Sequence, residues 1–207
     1  MGNDAQIMRF MREQNARLKA ENEALATEVE ALRHYIRSLQ RFQTMVQRFT
    51  PEQDVLELLE QTLNSAMELL DANDGSLLLL DEETDELVFV LVYGEVKETL
   101  PGYRFNAHQG IAGWVLDHKE PQIVNNVYRD KRFLADFDEK LNFETRSLIA
   151  VPIIARGTSF GVIEVLNKRS GEPFTYDDAD LLSILATLAA TALDYAVSVP
   201  EEDLQEV

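Results

Sequence analysis

Residues 5–48 contain neither glycine nor proline, and their apolar positions recur every seven residues. Met11, Leu18, Leu25, Leu32, Leu39 and Val46 form one series; Met8, Asn15, Asn22, Val29, Ile36 and Gln43 stand three residues before each member. Read as heptad positions d and a, the two series predict a left-handed coiled coil over residues 1–48. Leucine at d with Val, Ile and Asn at a favours two parallel strands. Asn15 and Asn22 satisfy their mates only in register, which costs stability and gains specificity. Glu28 at g and Arg33 at the next e are placed to pair between chains. The pattern predicts a parallel homodimer.

The rhythm changes at Thr50-Pro51-Glu52-Gln53. Threonine can cap, proline fits the first turn, and Gln53 sits at the reciprocal capping position. A stripe of Val55, Leu56, Leu59, Leu63, Ala66, Met67 and Leu70 predicts a helix, with Asp74-Gly75 as its end. Ser76–Asp81 and Leu87–Tyr93 read as a strand hairpin around the polar turn Glu82–Glu86. Tyr103–Asn106 is a weaker strand, Gly110–Leu116 a short helix and Gln122–Val124 a brief extended stretch. Val127–Phe143 is polar and aromatic, a loop with one or two short helices. Ser147–Ile154 and Phe160–Asn167 are strong strands joined at Arg156-Gly157-Thr158. Asp177–Val197 is an alanine-rich helix, apolar almost all round. Residues 198–207 are expected to be an acidic disordered tail. Hairpins between terminal helices predict an α+β domain over residues 51–197, with an antiparallel sheet and helices packed on it.

Composition narrows the chemistry. The 207 residues include no cysteine, which excludes disulfides, thiolate metal sites and cysteine nucleophiles. It fits a cytoplasmic protein. Net charge is −18, unevenly spread: residues 1–50 carry +2 and residues 51–207 carry −20. A domain so acidic repels phosphate backbones and anionic lipid, so neither nucleic acid nor membrane is expected as a partner. The N-terminus lacks the apolar run of a signal peptide. The most apolar window, Leu181 to Leu193, is shorter than the ~20 residues a bilayer span needs. His34, His108 and His118 lack ligand spacing, so no metal is expected.

Several motifs, in order, resemble a GAF domain over roughly residues 51–197. They are Gln109-Gly110-Ile111-Ala112-Gly113-Trp114-Val115, Phe143-Glu144-Thr145-Arg146-Ser147, Val151-Pro152-Ile153, Gly161 to Lys168, and Phe174-Thr175-Tyr176-Asp177-Asp178. The resemblance implies a six-stranded antiparallel sheet with a ligand pocket on one face and dimer-forming helices on the other. It is closest to the cyclic-nucleotide-binding GAF domains of phosphodiesterases and adenylyl cyclases, which makes cAMP or cGMP the candidate ligands. Asn167, Lys168, Phe174 and Asp178 match a family motif whose Lys–Asp pair braces the pocket from outside; Ala179 replaces its final Glu. By position, Ser76, Ile111, Ala112, Asp138, Thr145 and Glu164 match pocket residues. Leu134 and Leu141 stand where such domains often place an aromatic and a threonine.

Two of these positions carry their own physical argument. Gly110-Ile111-Ala112 should present free N–H groups at a helix start, a plausible anion cradle; otherwise Gly110 and Gly113 serve only a tight turn and close packing. Glu164 interrupts an apolar strand and shares a face with Phe160, Val162 and Leu166. A carboxylate there must be solvated, paired, or accept hydrogen bonds from a ligand. Tyr128, Phe133 and Phe137 are placed to form a lid over the pocket, or a local core. The reading is a dimeric, non-catalytic regulatory sensor that relays a bound small molecule through its flanking helices, with a protein effector downstream. The rival is a ligandless scaffold. Methionine sulfoxide reduction, known on GAF-like proteins, is excluded because it needs cysteine.

Overall fold

A computed structural model describes residues 2–47 and 55–198. They divide into two compact units, split between Met45 and Val46. The first is one helix, α1 (Gly2–Gln47), laced by exposed i,i+4 pairs such as Arg9–Glu13 and Arg17–Glu21. Its heptad residues Met8, Met11, Leu18, Leu25, Val29, Leu32 and Ile36 lie on its surface, each with 43–59% of its area open. The capping residues Thr50, Pro51 and Gln53 and the acidic tail lie outside the described residues, apart from Ser198, which ends the last helix.

The second unit runs α2 (Val55–Leu69), β1 (Ala72–Asp81), β2 (Glu86–Tyr93), β3 (Arg104–Asn106), α3 (Gly110–His118), β4 (Gln122–Val124), a single 3-10 turn (Val127–Arg129), α4 (Ala135–Leu141), β5 (Leu148–Ala155), β6 (Thr158–Lys168) and α5 (Tyr176–Ser198). The six strands form one sheet ordered β3-β2-β1-β6-β5-β4, every pairing antiparallel. This is the α+β architecture expected from the pattern.

The helix α2 ends earlier than its sequence suggests. Asp71 takes the left-handed conformation (φ 52°) and turns the chain, so Asp74-Gly75 lie inside β1. A dipeptide that usually marks a turn is here part of the central strand β1, paired with Leu166 and Val165 of β6. On α2 the buried stripe runs through Leu58, Leu59, Thr62, Leu63, Ala66 and Leu69, while Leu56 faces out.

Strand alternation divides the core into two layers. Leu77, Ile149, Val151, Ile153, Ile163 and Val165 point to the side where α2 and α5 pack, and all are fully buried. From α5, Leu182, Leu185, Ala186, Ala189 and Ala190 meet them, also at 0% exposure. The alanines let the helix approach the sheet closely. By length and mean hydropathy (1.5 over its best window) α5 could cross a bilayer, though its core-facing stripe is spent on the sheet. On the other face Leu78, Leu87, Phe89, Leu148, Ala150 and Val162 pack against α3, through Ile111, Ala112 and Val115. A bulge opposite Leu77/Leu78 shifts the β2 register, so Leu91 joins the helix side and Phe89 the α3 side.

Candidate functional site

The α3 side of the sheet is incompletely filled. Between the sheet, α3, α4 and the 94–103 loop lies a cavity in which the centre of a water-sized sphere can move through about 110 Å3. One water needs ~10–15 Å3 on that measure, so the space suits a small organic molecule. Ser76, Gly110, Ile111, Ala112, Asp138, Thr145 and Glu164 all stand in its walls. The structure thus brings all seven expected residues to one place. Leu134, Leu141, Phe133 and Phe137 roof it, whereas Tyr128 is 62% exposed, meets Phe133 edge-on and contributes no wall.

Each wall has a local cause. Gly110 starts α3 at φ +77°, a conformation glycine adopts without strain. Gly113, one turn on, faces the backbone of Ala107 and His108 so closely that a Cβ would lie 2.7 Å from the Ala107 carbonyl oxygen. Any side chain there would push α3 off the chain leading into it. As at any helix start, the first N–H groups of α3 have no intrahelical acceptor, and the Gln109 side chain does not cap them. Leu134 covers this end: its Cδ1 sits 3.0 Å from where a Gly110 Cβ would be.

Asp138, on α4, binds Thr145 twice. The Thr145 N–H and hydroxyl donate to its two carboxylate oxygens, each at 2.7 Å. The pair latches the short roof helix to the segment entering β5. Asn167 holds that segment from the other side. Its Oδ1 accepts the N–H groups of Arg146 (2.9 Å) and Ser147 (3.3 Å), and its Nδ2 donates to the Glu144 carbonyl (2.9 Å).

Lys168 and Asp178 form a buried pair, Nζ to Oδ2 at 2.6 Å, with 14% and 6% of their side chains exposed. Lys168 also lies over the Phe174 ring, 5.4 Å from its centroid. Neither charge reaches the cavity. The same Asp178 oxygen accepts the Thr175 N–H at 2.7 Å, and the Asp178 N–H donates to the Thr175 hydroxyl at 3.3 Å. Thr175 and Asp178 therefore make a reciprocal cap at the start of α5. Ala179, in place of the family's acid, is buried and continues the helix.

Glu164 lies on the central strand β6, opposite Ser76 of β1 and Ala150 of β5. The Ser76 hydroxyl donates to its Oε2 at 3.2 Å. What remains accessible of this half-buried residue is cavity wall. Burial pushes its carboxyl up to about 7, against a smaller opposing pull from the Ser76 hydrogen bond. Burial also raises Asp74, whose Oδ1 accepts the Glu95 N–H at 3.3 Å. Among the described residues, Asp74, Asp138, Glu164 and Tyr93 are the ionisable side chains of the wall, and none of the wall residues is Lys, Arg or His.

Several supports escaped the sequence reading. Phe89 and Phe105 enter the wall from the outer strands, and their rings cluster with Phe137 at 5.5–5.9 Å between centroids. Asn125 binds the Phe174 backbone twice, accepting its N–H at 2.7 Å and donating to its carbonyl at 3.0 Å. Arg132 chelates Asp130 and lies 4.9 Å above the Trp114 ring, and its guanidinium holds the Asp130 carboxyl below its ordinary range. His108 bonds Asp117 (2.7 Å) and Asp85 (3.1 Å) through opposite ring nitrogens, which raises its pKa, chiefly through Asp117. Among the described residues no group of three or more His, Asp or Glu is arranged to hold a metal ion.

The GAF domain family model matches residues 54–195, and the chain belongs to that family, whose members are generally regulatory rather than catalytic. A probable 3',5'-cyclic phosphodiesterase, pde-5, of Caenorhabditis elegans is 33% identical over 145 residues, 66% of this chain and 20% of the relative. The dual 3',5'-cyclic-AMP and -GMP phosphodiesterase 11 of Drosophila melanogaster is 31% identical over 146 residues, 64% of this chain and 10% of the relative. The chain thus spans a fifth or less of the length of these relatives. Among solved structures, the GAF domain of a phosphoenolpyruvate-protein phosphotransferase from Coxiella burnetii superposes with a TM-score of 0.71 at 18% identity, covering 81% of this chain and 96% of that one. The free methionine-R-sulfoxide reductase of Neisseria meningitidis shares the fold at a TM-score of 0.65 and 22% identity, over 79% of this chain and 90% of that one.

Proposed function

We propose that this protein is a dimeric cytoplasmic sensor: a small molecule enters the GAF cavity and its presence is relayed through the flanking helices to a protein effector. The observation that carries the reading is the cavity itself, walled by a two-point latch between its roof helix and the segment entering β5. A ligand that tightens or loosens the Asp138–Thr145 latch changes the order of the roof. Strand β6 connects that event to the opposite layer, because alternate residues of one strand touch ligand and helices. The sensor then responds by biasing how α2 and α5 pack. An open cavity favours this over a ligandless scaffold, whose core would be closed by its own side chains.

Dimerisation rests on the α1 seam. Seven apolar heptad residues open on one chain are the pattern a second parallel copy covers, with Asn15 and Asn22 fixing register. The names of the relatives direct the first ligand trials to cAMP and cGMP, which test whether the start of α3 can take a phosphate despite the acids of the wall. The domain's net charge opposes nucleic acid and anionic membrane as partners.

Native mass spectrometry of the freshly purified full chain tests both parts together. A dimer carrying a retained small molecule, or one that takes up a titrated ligand, supports the reading. A monomer that stays a monomer and binds none of the trial ligands overturns it.

A further inference from the structure

We propose that the cavity selects a ligand with a cationic amine or amidine head set against Glu164 and an aromatic body set against Phe89, Phe105 and Phe137. The inference rests on the reading of this cavity as the sensing site and names the chemistry of what it senses.

The argument is one of unmet demand. Glu164 projects from the middle of the sheet into an apolar enclosure, and Ser76, a neutral donor at 3.2 Å, is its one hydrogen-bonding partner among the described residues. That contact engages Oε2, and no hydrogen bond to Oε1 is found among the described residues. An ionised carboxylate so placed is costly until a donor or a cation meets it. The other acids in the wall are differently placed. Asp138 has both oxygens taken by Thr145, and Asp74 accepts the Glu95 N–H. Asp74, like Glu164, accepts one hydrogen bond, but the Arg146 charge acts on it, whereas among the described residues no cation acts on Glu164; Glu164 is therefore the acid of the wall whose charge is unmet.

The same wall repels an anion. It holds three carboxyl groups and, among the described residues, no Lys, Arg or His to neutralise a phosphate, and Leu134 lies over the Gly110 start of α3. The rings of Phe89, Phe105 and Phe137 supply the complementary surface: apolar contact for a flat body and negative ring faces toward a cation.

The groups that face Glu164 from neighbouring elements are few. β1 brings Ser76 and Asp74, β2 brings Tyr93, α4 brings Asp138 and the segment entering β5 brings Thr145, with Arg146 acting on Asp74; among the described residues β5 contributes Leu148 and Ala150, and α3 Gly110, Ile111 and Ala112, none of them ionisable. Because burial favours the protonated carboxyl, an ammonium ligand must displace that proton. Its affinity should rise with pH across the titration of Glu164.

The test uses one skeleton with three heads: 2-phenylethylamine, 2-phenylethanol and 3-phenylpropionate, with cAMP and cGMP alongside. Each is titrated to millimolar concentration into the full chain and into Glu164→Gln and Ser76→Ala, with thermal melts and calorimetry as readouts. The amine should stabilise the protein, more than the alcohol, and the propionate not at all. Amine affinity should rise about tenfold between about pH 6 and about pH 8, as the carboxylate fraction does around a midpoint near neutrality. Glu164→Gln should erase both the preference and the pH dependence, and Ser76→Ala, which removes the hydrogen bond that lowers Glu164, should keep the amine preference while moving the pH dependence upward. Absence of amine binding, or a preference for propionate or a cyclic nucleotide that Glu164→Gln does not weaken, overturns the proposal. Binding of the anionic probes in that case would leave the sensing function of the cavity standing.

Discussion

The two faces of the sheet are built from the same strands and obey different rules. On the α2/α5 side, the inward residues named above are aliphatic or small apart from Thr62, whose hydroxyl donates within its own helix to the Leu58 carbonyl, and exposure falls to zero at Leu77, Ile149, Ile163, Leu182 and Leu185. On the α3/α4 side, the same alternation delivers Ser76, Asp74 and Glu164 among Leu78, Phe89 and Val162, and the space above them stays open. The first face is packed for stability. The second leaves packing and polar satisfaction unfinished around a cavity. One strand, β6, serves both: Ile163 and Val165 for the helices, Glu164 for the cavity.

The contrast can be broken most strongly from the packed side. Leu182→Ala should cost about 4 kcal/mol, because a fully buried leucine is lost and a void remains. Urea denaturation at constant slope would show it, and a loss below about 1 kcal/mol would mean that α5 is not seated as described. Lys168→Ala comes next, at about 3 kcal/mol, since it strands the buried Asp178 carboxylate. The double variant with Asp178→Ala should recover part of that loss; additive losses in the cycle would show that the pair does not interact.

On the cavity side the effects are smaller and depend on pH. Glu164 has a folded pKa raised above its ordinary 4.5, to about 7. Its proton is held more tightly when folded, so stability is present below the unfolded value and declines as pH rises through about 7. Glu164→Gln should therefore be neutral at about pH 4 and stabilising by about 2 kcal/mol at about pH 8. Melts of both proteins across that range check it, and parallel curves would refute the burial of the charge. Smallest is Leu134→Ala. This residue lines an existing cavity, so its loss should cost about 1 kcal/mol or less in stability while enlarging the opening beside Gly110. Ligand on-rates are the sensitive readout there.

How much of this was legible beforehand follows from the physics of each signal. Strands β2, β4, β5 and β6 and helix α5 announce themselves by periodicity or β-branched runs, and the expected bounds differ by two residues or fewer. Glu164 is legible because a charge within an apolar strand demands an explanation. Asp74-Gly75 misleads, since local turn preference is overridden by pairing on both sides of β1. Leu58 in place of Leu56 is a phase error of the α2 stripe, which only the seated helix settles. Phe89 and Phe105 read as ordinary strand residues; nothing local says that their rings end in a cavity. Val96 and Leu100 come from a loop without periodicity. Thr175-x-x-Asp178, by contrast, was available as a capping motif and escaped because Asp178 was read only as the partner of Lys168.

The short β4 has one more consequence. It pairs with Leu148–Ala150 only, so the rest of β5, from Val151 to Ala155, has no strand along its outer side among the described residues. Unpaired strand backbone invites another chain to add itself. Pro152 stands in the middle of that stretch and has no N–H to offer an incoming strand. The proline therefore denies an incoming strand one hydrogen bond in the middle of this stretch, which disfavours sheet extension there.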